Sequence, residues 1–339
     1  MIPPDAYAPL PHGGELDSAR RQFPGAPEPF VDLSTGINPN PYPIAELPSG
    51  SFTRLPGASE RERLAAAAAK AYAAPAPRHV LPAPGTQILL SHVARLLPPG
   101  KAAILATTYA EHARAAALAG HDVSEVTEVE ALRAADLAIV VNPNNPDGRV
   151  VRRDMLLDVA TRLRARGGLL LVDEAFMDAT AEGESLAADV AAENIVVLRS
   201  FGKFYGLPGL RLGFAIASEE IVARLGASLG PWPVSGPAIA IGTQALRDDD
   251  WRARTRASLA QAASRLASLL RDSELTVVGG TDLFKLVRTD DASALHQHLA
   301  ANGVLVRAFA DPPDLLRFGL PGEEEEWSRL RDALGRFSR

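Results

Sequence analysis

The chain has no cysteine in its 339 residues. That excludes disulfides, thiolate nucleophiles and cysteine-ligated zinc, and it permits a reducing compartment. Basic charge is also in short supply: 35 Lys and Arg face 41 Asp and Glu, a net charge of −6 with histidine neutral. No Lys/Arg block occurs, so neither nucleic acid nor an anionic membrane is expected as a partner. No apolar run approaches the roughly 20 residues that a membrane span needs. The opening MIPPDAYAPLPHGGE lacks the basic and apolar regions of a secretory leader, and a cytoplasmic location is expected. Lysine is scarcest among the charged residues, four against 31 arginines. One of the four, Lys203, stands in SFGKFYGLPGLRLGF, a stretch with few other polar groups.

What is present suits a globular protein. Hydrophobic residues make up 47% of the chain, and its length allows one large domain or two unequal ones. Residues 1–57, rich in proline and glycine, read as an extended arm that Phe30, Val31, Leu33, Ile37 and Tyr42 can anchor. From Ser59, SERERLAAAAAKAYAA is helical and stops at Pro75. Apolar runs then alternate with helical stretches: HVLPAPG, KAAILATTY, DLAIVVNPNN, GLLLVDEAF and NIVVLRSFGK. Runs such as LAIVV and LLLV suit strands of a mostly parallel sheet covered by helices on both faces. After a break near GPWPVSGPA, one long helix over 238–270 and further short strands read as a smaller α+β domain. The expected class is α/β, with an arm over 1–57, a large domain over 58–235 and a small domain over 236–339. The run Glu323 to Glu326 fits the first turn of a last helix, where acids favour the dipole.

The ends of the apolar runs carry the chemistry, as expected where sites lie beyond the carboxyl ends of strands. A lysine amine forms Schiff bases with carbonyls, and Lys203 follows IVVLRS. Ser200 and Arg211 flank it, a hydroxyl and a guanidinium that together can hold a phosphate dianion. Asp173 ends LLLVD, where a buried carboxylate needs a cationic partner. NPNNPDG (142–148) is an asparagine-rich turn. Gly85, Thr86 and Gln87 open a helix, where backbone N–H groups attract an anion. Thr108 and Tyr109 end another run with an aromatic plate. The histidines form no shared-ligand spacing: His296 and His298 are i, i+2 on a helix, and His79, His92, His112 and His121 read as surface or core residues. No metal is expected.

In order and spacing, GTQ, TY, NPNNPDG, DEAF and SFGKFYGLPGLRLGF resemble the fold-type I pyridoxal-phosphate enzymes of the aminotransferase superfamily. The resemblance implies pyridoxal 5'-phosphate bound to Lys203. It implies that Asp173 pairs with the ring nitrogen, Asn145 bonds the ring oxygen and Tyr109 stacks on the ring. Gly85, Thr86, Ser200 and Arg211 would hold the cofactor phosphate, and Gln87 would be a further cofactor-binding residue. The arm HGGELDSARRQFPGAPEPFVDLSTGINPNPYP (12–43) resembles more narrowly the threonine-phosphate decarboxylases of cobalamin biosynthesis.

That resemblance makes a small phosphorylated amino acid the substrate. It implies that His12, Gly13, Asn38 and Asn145 contact it, that Arg307 helps His12 hold its phosphate, and that Arg317 grips its α-carboxylate. It also implies a homodimer. The expected reaction removes CO2 from L-threonine O-3-phosphate and leaves (R)-1-aminopropan-2-yl phosphate. Histidinol-phosphate aminotransferase is the alternative on the same scaffold, and a silent regulatory relative is a remote one. Two positions depart from the superfamily pattern. Phe176 stands where tyrosine is usual, which favours the decarboxylases, and Leu55 stands where relatives have the tyrosine of RYP.

Overall fold

In the computed structural model, which describes residues 10–180 and 183–337, the apolar runs become short strands. In chain order these are β1 (Val31–Leu33), β2 (Val80–Ala83), β3 (Lys101–Leu105), β4 (Asp122–Val126), β5 (Leu137–Val141), β6 (Leu169–Asp173), β7 (Ile195–Ser200), β8 (Gly213–Ala217), β9 (Thr276–Thr281), β10 (Phe284–Arg288), β11 (Val304–Ala308) and β12 (Leu315–Gly319). The first nine residues of the arm, with most of the stretch read for a leader, lie outside the described residues. Among the described residues no helix is long and apolar enough to cross a membrane.

The chain divides into two compact units. One holds Pro41–Asn145 and Arg149–Ala253; the other holds Pro11–Asn40, Pro146–Gly148 and Arg254–Arg339. Within the first, seven strands form a sheet in the order β2-β8-β7-β6-β5-β3-β4. Only β8 runs against its neighbours. Every residue of β5, β6 and β8 is buried, as strands covered on both faces require. Two of these strands escape a search for apolar runs preceding helices. β4, DVSEV, is a polar edge strand, and β8 begins inside the RLGF motif.

In the second unit five strands take the order β1-β11-β12-β10-β9. The arm is therefore more than an extended segment. Its strand β1 pairs parallel with β11, Val31 opposite Val304, and its helix Leu16–Gln22 packs Ala19 against Phe30 and Leu305. Pro146–Gly148 joins this unit through Gly280, whose N–H donates to the Asp147 carbonyl at 2.7 Å. A Cβ on Gly148 would stand 2.0 Å from the Gly280 carbonyl oxygen, so that approach requires glycine.

The expected single helix over 238–270 is two helices, Gly236–Arg247 and Asp249–Asp272. Asp248 breaks them: its carboxylate accepts from the Trp251 N–H at 2.9 Å, as an N-cap does. The acidic triplet 248–250 favours a helix start over a helix interior. Ser59 does lie in a helix, Ala58–Ala71, and the last helix, Glu324–Gly335, begins on the glutamate run.

The ends of β6 and β7 are tied together by buried charge. Arg199 donates to Glu174 at 2.8 Å and to Asp178 at 2.5 Å, and its guanidinium lies 4.5 Å from the Tyr72 ring centre. All three ionic groups are buried. Burial alone would lower Arg199, but the Asp178 and Glu174 carboxylates outweigh it and raise its pKa. Ser185 Oγ and the Leu186 N–H also donate to Glu174, so its lone pairs are satisfied. Glu174 follows Asp173 and Arg199 precedes Ser200, so the triad fixes the backbone on which two expected site residues stand. Arg199→Met leaves two carboxylates buried without their cation. It is expected to cost about 3–5 kcal/mol of stability, read as a lowered urea midpoint; a variant within about 1 kcal/mol of the parent would show that the triad is not needed.

Candidate active site

The residues expected around the cofactor all fall in the first unit. Gly85, with φ +85, precedes the helix Thr86–Ala94, and no side chain caps that helix. Its first N–H groups have no intrahelical acceptor and point outward. Arg211 lies against this helix start. A Cβ on Gly85 would stand 2.6 Å from Arg211 Nη2, so the guanidinium lies against the open face of the glycine. From the other side, a Cβ on Gly213 would stand 2.7 Å from Thr86 N. Arg211 itself adopts φ +53, and its Nη1 donates to the Pro208 carbonyl at 3.1 Å. Backbone donors, the Thr86 hydroxyl and an exposed guanidinium form a cradle suited to a phosphate.

Asp173 closes β6 and is buried. Its Oδ1 accepts from the Ala175 N–H at 3.0 Å, and its Oδ2 lies 2.9 Å from His112 Nε2. Each oxygen keeps a lone pair, so the carboxylate can take one more donor, such as a protonated ring nitrogen. His112 is fully buried, and its Nδ1 has no hydrogen-bond partner among the described residues. The sequence reading places it only among surface or core histidines, without its contact to Asp173. The signal was available: His112 follows Tyr109 by three residues, which sets both on one face of a helix start. The two rings meet edge to face at 6.0 Å.

Tyr109 donates its hydroxyl hydrogen to Gln87 Oε1 at 3.0 Å, and Gln87 Nε2 donates to Glu111 at 2.9 Å. Ser200 ends β7 and starts the short helix Phe201–Phe204, which carries Lys203. Lys203 is half-buried, and its Nζ lies 5.7 Å from the Phe176 ring centre. Asn145 stands in the turn after β5, half-buried. The neighbouring Asn144 is pinned by Thr108 Oγ1 at 2.6 Å and donates to the Thr107 carbonyl at 2.9 Å. A phosphate cradle, a buried acid with a spare lone pair and an amine between glycines fit pyridoxal 5'-phosphate.

The residues expected to bind substrate, apart from Asn145, fall in the second unit. Arg307 on β11 and Arg317 on β12 stand directly opposite each other. Like charges so placed repel. Arg317 is buried over the Phe284 ring, at 5.1 Å. Burial, and then the Arg307 charge, lower Arg317 to about 10, while the Asp32 charge works the other way. The pair stays cationic near neutral pH and gains from any anion brought to it. Arg317 Nη2 donates to the Ser34 carbonyl at 2.8 Å, and Arg307 Nη2 donates to the Pro11 carbonyl at 2.7 Å. His12 is exposed. A Cβ on Gly13 would stand 2.3 Å from the Ser34 carbonyl oxygen. Asn38 is buried, and its side-chain oxygen accepts from the Asn40 N–H at 2.9 Å.

Residues 46–334 match the family described as aminotransferase class I and II. The chain is 43% identical over 328 residues to a threonine-phosphate decarboxylase of Pseudomonas aeruginosa, covering 96% of this chain and 97% of that protein. It is 42% identical over 333 residues to a threonine-phosphate decarboxylase of a Sinorhizobium species, covering 97% of this chain and 99% of that one. Its fold matches the crystal structure of histidinol-phosphate aminotransferase from Sinorhizobium meliloti in complex with pyridoxal-5'-phosphate with a TM-score of 0.80, covering 98% and 96% of the two chains at 20% identity. That likeness establishes the fold-type I architecture. With a family match over most of its length and relatives that share two residues in five from end to end, the chain belongs to the aminotransferase class I and II family.

Proposed function

We propose that this protein decarboxylates L-threonine O-3-phosphate, with pyridoxal 5'-phosphate as cofactor, and releases (R)-1-aminopropan-2-yl phosphate and CO2. The observation that carries the reading is the arginine pair on β11 and β12, in a chain 43% identical along its length to a threonine-phosphate decarboxylase. Threonine phosphate carries a carboxylate and a phosphate, one anion for each cation. On this reading Arg317, buried and directed by the Ser34 carbonyl, takes the carboxylate. Arg307 and His12 take the phosphate.

When bound, the cofactor supplies a sink for the electron pair left as the bond from Cα to the carboxylate breaks. Its phosphate would be held by the Thr86 and Ser200 hydroxyls, the N–H groups of the helix start at Gly85, and Arg211. Asp173, itself held by His112 and Ala175, would keep the ring nitrogen protonated. Asn145 would support the ring oxygen, and Tyr109 and Gln87 would be further cofactor contacts. Phe176 donates no hydrogen bond, so Asn145 serves the ring oxygen without help from that position. Lys203 would hold the cofactor and would return a proton to Cα once CO2 has left. Anchoring substrate at both its anions determines which bond at Cα stands in line to break.

A homodimer belongs to the same proposal, and so does a cytoplasmic location. Ile44, Phe52, Leu55 and Trp232 are each more than half exposed. The helix Gly50–Thr53 that carries Phe52 packs on the helix Gly236–Arg247 just beyond Trp232, with Ser51 against Gly236. An apolar surface built on adjacent elements suits a second copy of the chain. Sedimentation is expected to give a dimer, and an active monomer would contradict it.

Borohydride reduction of the holoenzyme should fix the cofactor to Lys203, recovered by peptide mapping. Label on Lys70, Lys101 or Lys285 instead would remove the site assignment.

Activity is expected as CO2 released from threonine phosphate, with far less from unphosphorylated threonine. His12→Ala and Arg307→Ala should each lower kcat/KM for threonine phosphate by about ten- to a hundredfold, the worth of a charge-assisted contact. Both should keep the parent's cofactor content. No preference for the phosphorylated substrate in parent or variants would refute the phosphate assignment.

A further inference from the structure

The sheet ladder between β1 and β11 ends with Leu33 opposite Val306. The next residue, Ser34, is buried and makes no ladder bond, yet every polar group it has is used. Its N–H donates to Asp32 Oδ1 at 2.9 Å, and its hydroxyl donates to the same oxygen at 2.5 Å. The hydroxyl oxygen accepts from the Gly14 N–H at 2.7 Å. The carbonyl accepts from Arg317 Nη2 at 2.8 Å.

The direction of this relay is forced. A backbone N–H can only donate and an ionised carboxylate can only accept, so the single hydroxyl hydrogen points to Asp32 and the lone pair to Gly14. The fit on the arm side is equally restrictive. Gly14 has φ +86, and a Cβ on Gly13 would collide with the Ser34 carbonyl oxygen at 2.3 Å. Burial and the Arg307 charge both oppose the Arg317 cation, and Asp32 favours it. One residue therefore touches both the turn next to His12 and the buried guanidinium, and one acid stands behind both.

We propose that Ser34, oriented by Asp32, is a positioning residue for substrate binding: its hydroxyl fixes the Gly13–Gly14 turn that presents His12, and its carbonyl sets the direction of Arg317. The proposal rests on the reading that His12 and Arg317 bind the two anions of threonine phosphate. Arg307 holds the other side of the same turn through the Pro11 carbonyl. The arm segment is thus pinned on both sides of His12 while that side chain stays exposed. Neither Asp32 nor Ser34 needs to touch substrate to act in this way.

The test uses the holoenzyme with Ser34→Ala, Ser34→Thr, His12→Ala and the Ser34→Ala/His12→Ala double variant. KM and kcat for threonine phosphate are measured together with hydrogen–deuterium exchange over residues 10–16. Ser34→Ala is expected to raise KM about tenfold while kcat changes less than about twofold, the loss of one well-placed contact. Exchange at the arm peptide should quicken. Ser34→Thr, which keeps the hydroxyl, should restore both readouts. In the His12→Ala background Ser34→Ala should add little, because the contact it positions is already gone.

Equal KM penalties for Ser34→Ala with and without His12 would overturn the proposal, and so would unchanged exchange at the arm. If His12→Ala itself left KM unchanged, the failure would lie in the phosphate assignment and would take the proposal with it. Should Ser34→Ala not fold, Asp32→Ala carries the test. It removes the acceptor that directs the Ser34 hydroxyl, so arm exchange should quicken and KM should rise. An unchanged KM in that variant would overturn the proposal as well.

Discussion

Burying a charge is costly unless it is paired and hydrogen-bonded, and this chain buries charge at the strand ends where its chemistry lies. In the seven-stranded sheet the apolar lengths of β5 and β6 leave no room for polar groups. Function is pushed to their ends, where each ionic group has to be held by its neighbours. Asp173 is held by His112 and the Ala175 N–H. One residue further on, Glu174 takes Arg199, and Arg199 takes Asp178. The two carboxylates of the DE pair face different partners: one is satisfied within the protein, and the other keeps capacity for a ligand. In the second unit Arg317 is the buried ion, and Ser34 and Asp32 are what hold it.

Close backbone approach is the second constraint, and it explains the glycines better than turn formation does. Gly85 gives its side-chain space to Arg211, Gly213 gives its own to the Thr86 N–H, and Gly13 gives its own to the Ser34 carbonyl. In each case the missing side chain lets a donor or acceptor lie against main chain. The positive φ at Gly85 and Gly14 adds a second reason that an L side chain is disfavoured at those two positions.

Much of this was legible in the sequence because it is local. LAIVV, LLLV and IVVLRS become β5, β6 and β7, and the motif residues stand at or just beyond their ends. What escaped depends on partners distant in sequence. β4 is an edge strand without an apolar face, so no run marks it. Asp248 carries no breaker signal beyond its charge, and only the cap to Trp251 shows why the helix stops there. His112 lies 61 residues from Asp173, and its spacing from Tyr109 marks a shared face without marking the acid it meets. Asp32 and Ser34 were visible as part of an arm signature, but the bonds of Ser34 run to Gly14 and, 283 residues away, to Arg317.

Both proposed anion sites carry a guanidinium, but the one proposed for the cofactor adds main-chain donors of a helix start, which suits an anion that stays. A resident cofactor phosphate can be met by main-chain donors at a helix start, which are fixed and cost no side-chain ordering. A substrate phosphate has to leave with product. Its proposed partners are side chains, Arg307 and the exposed His12, on a segment held by hydrogen bonds rather than buried in a core. Asn145 apart, the residues proposed for the cofactor fall in one unit and those proposed for substrate in the other. Energetic coupling between groups that share no partner is small, so on this reading substitutions in the arm and the arginine pair are expected to change substrate preference more than cofactor retention. That separation is what a scaffold needs if one cofactor is to serve different phosphorylated amines.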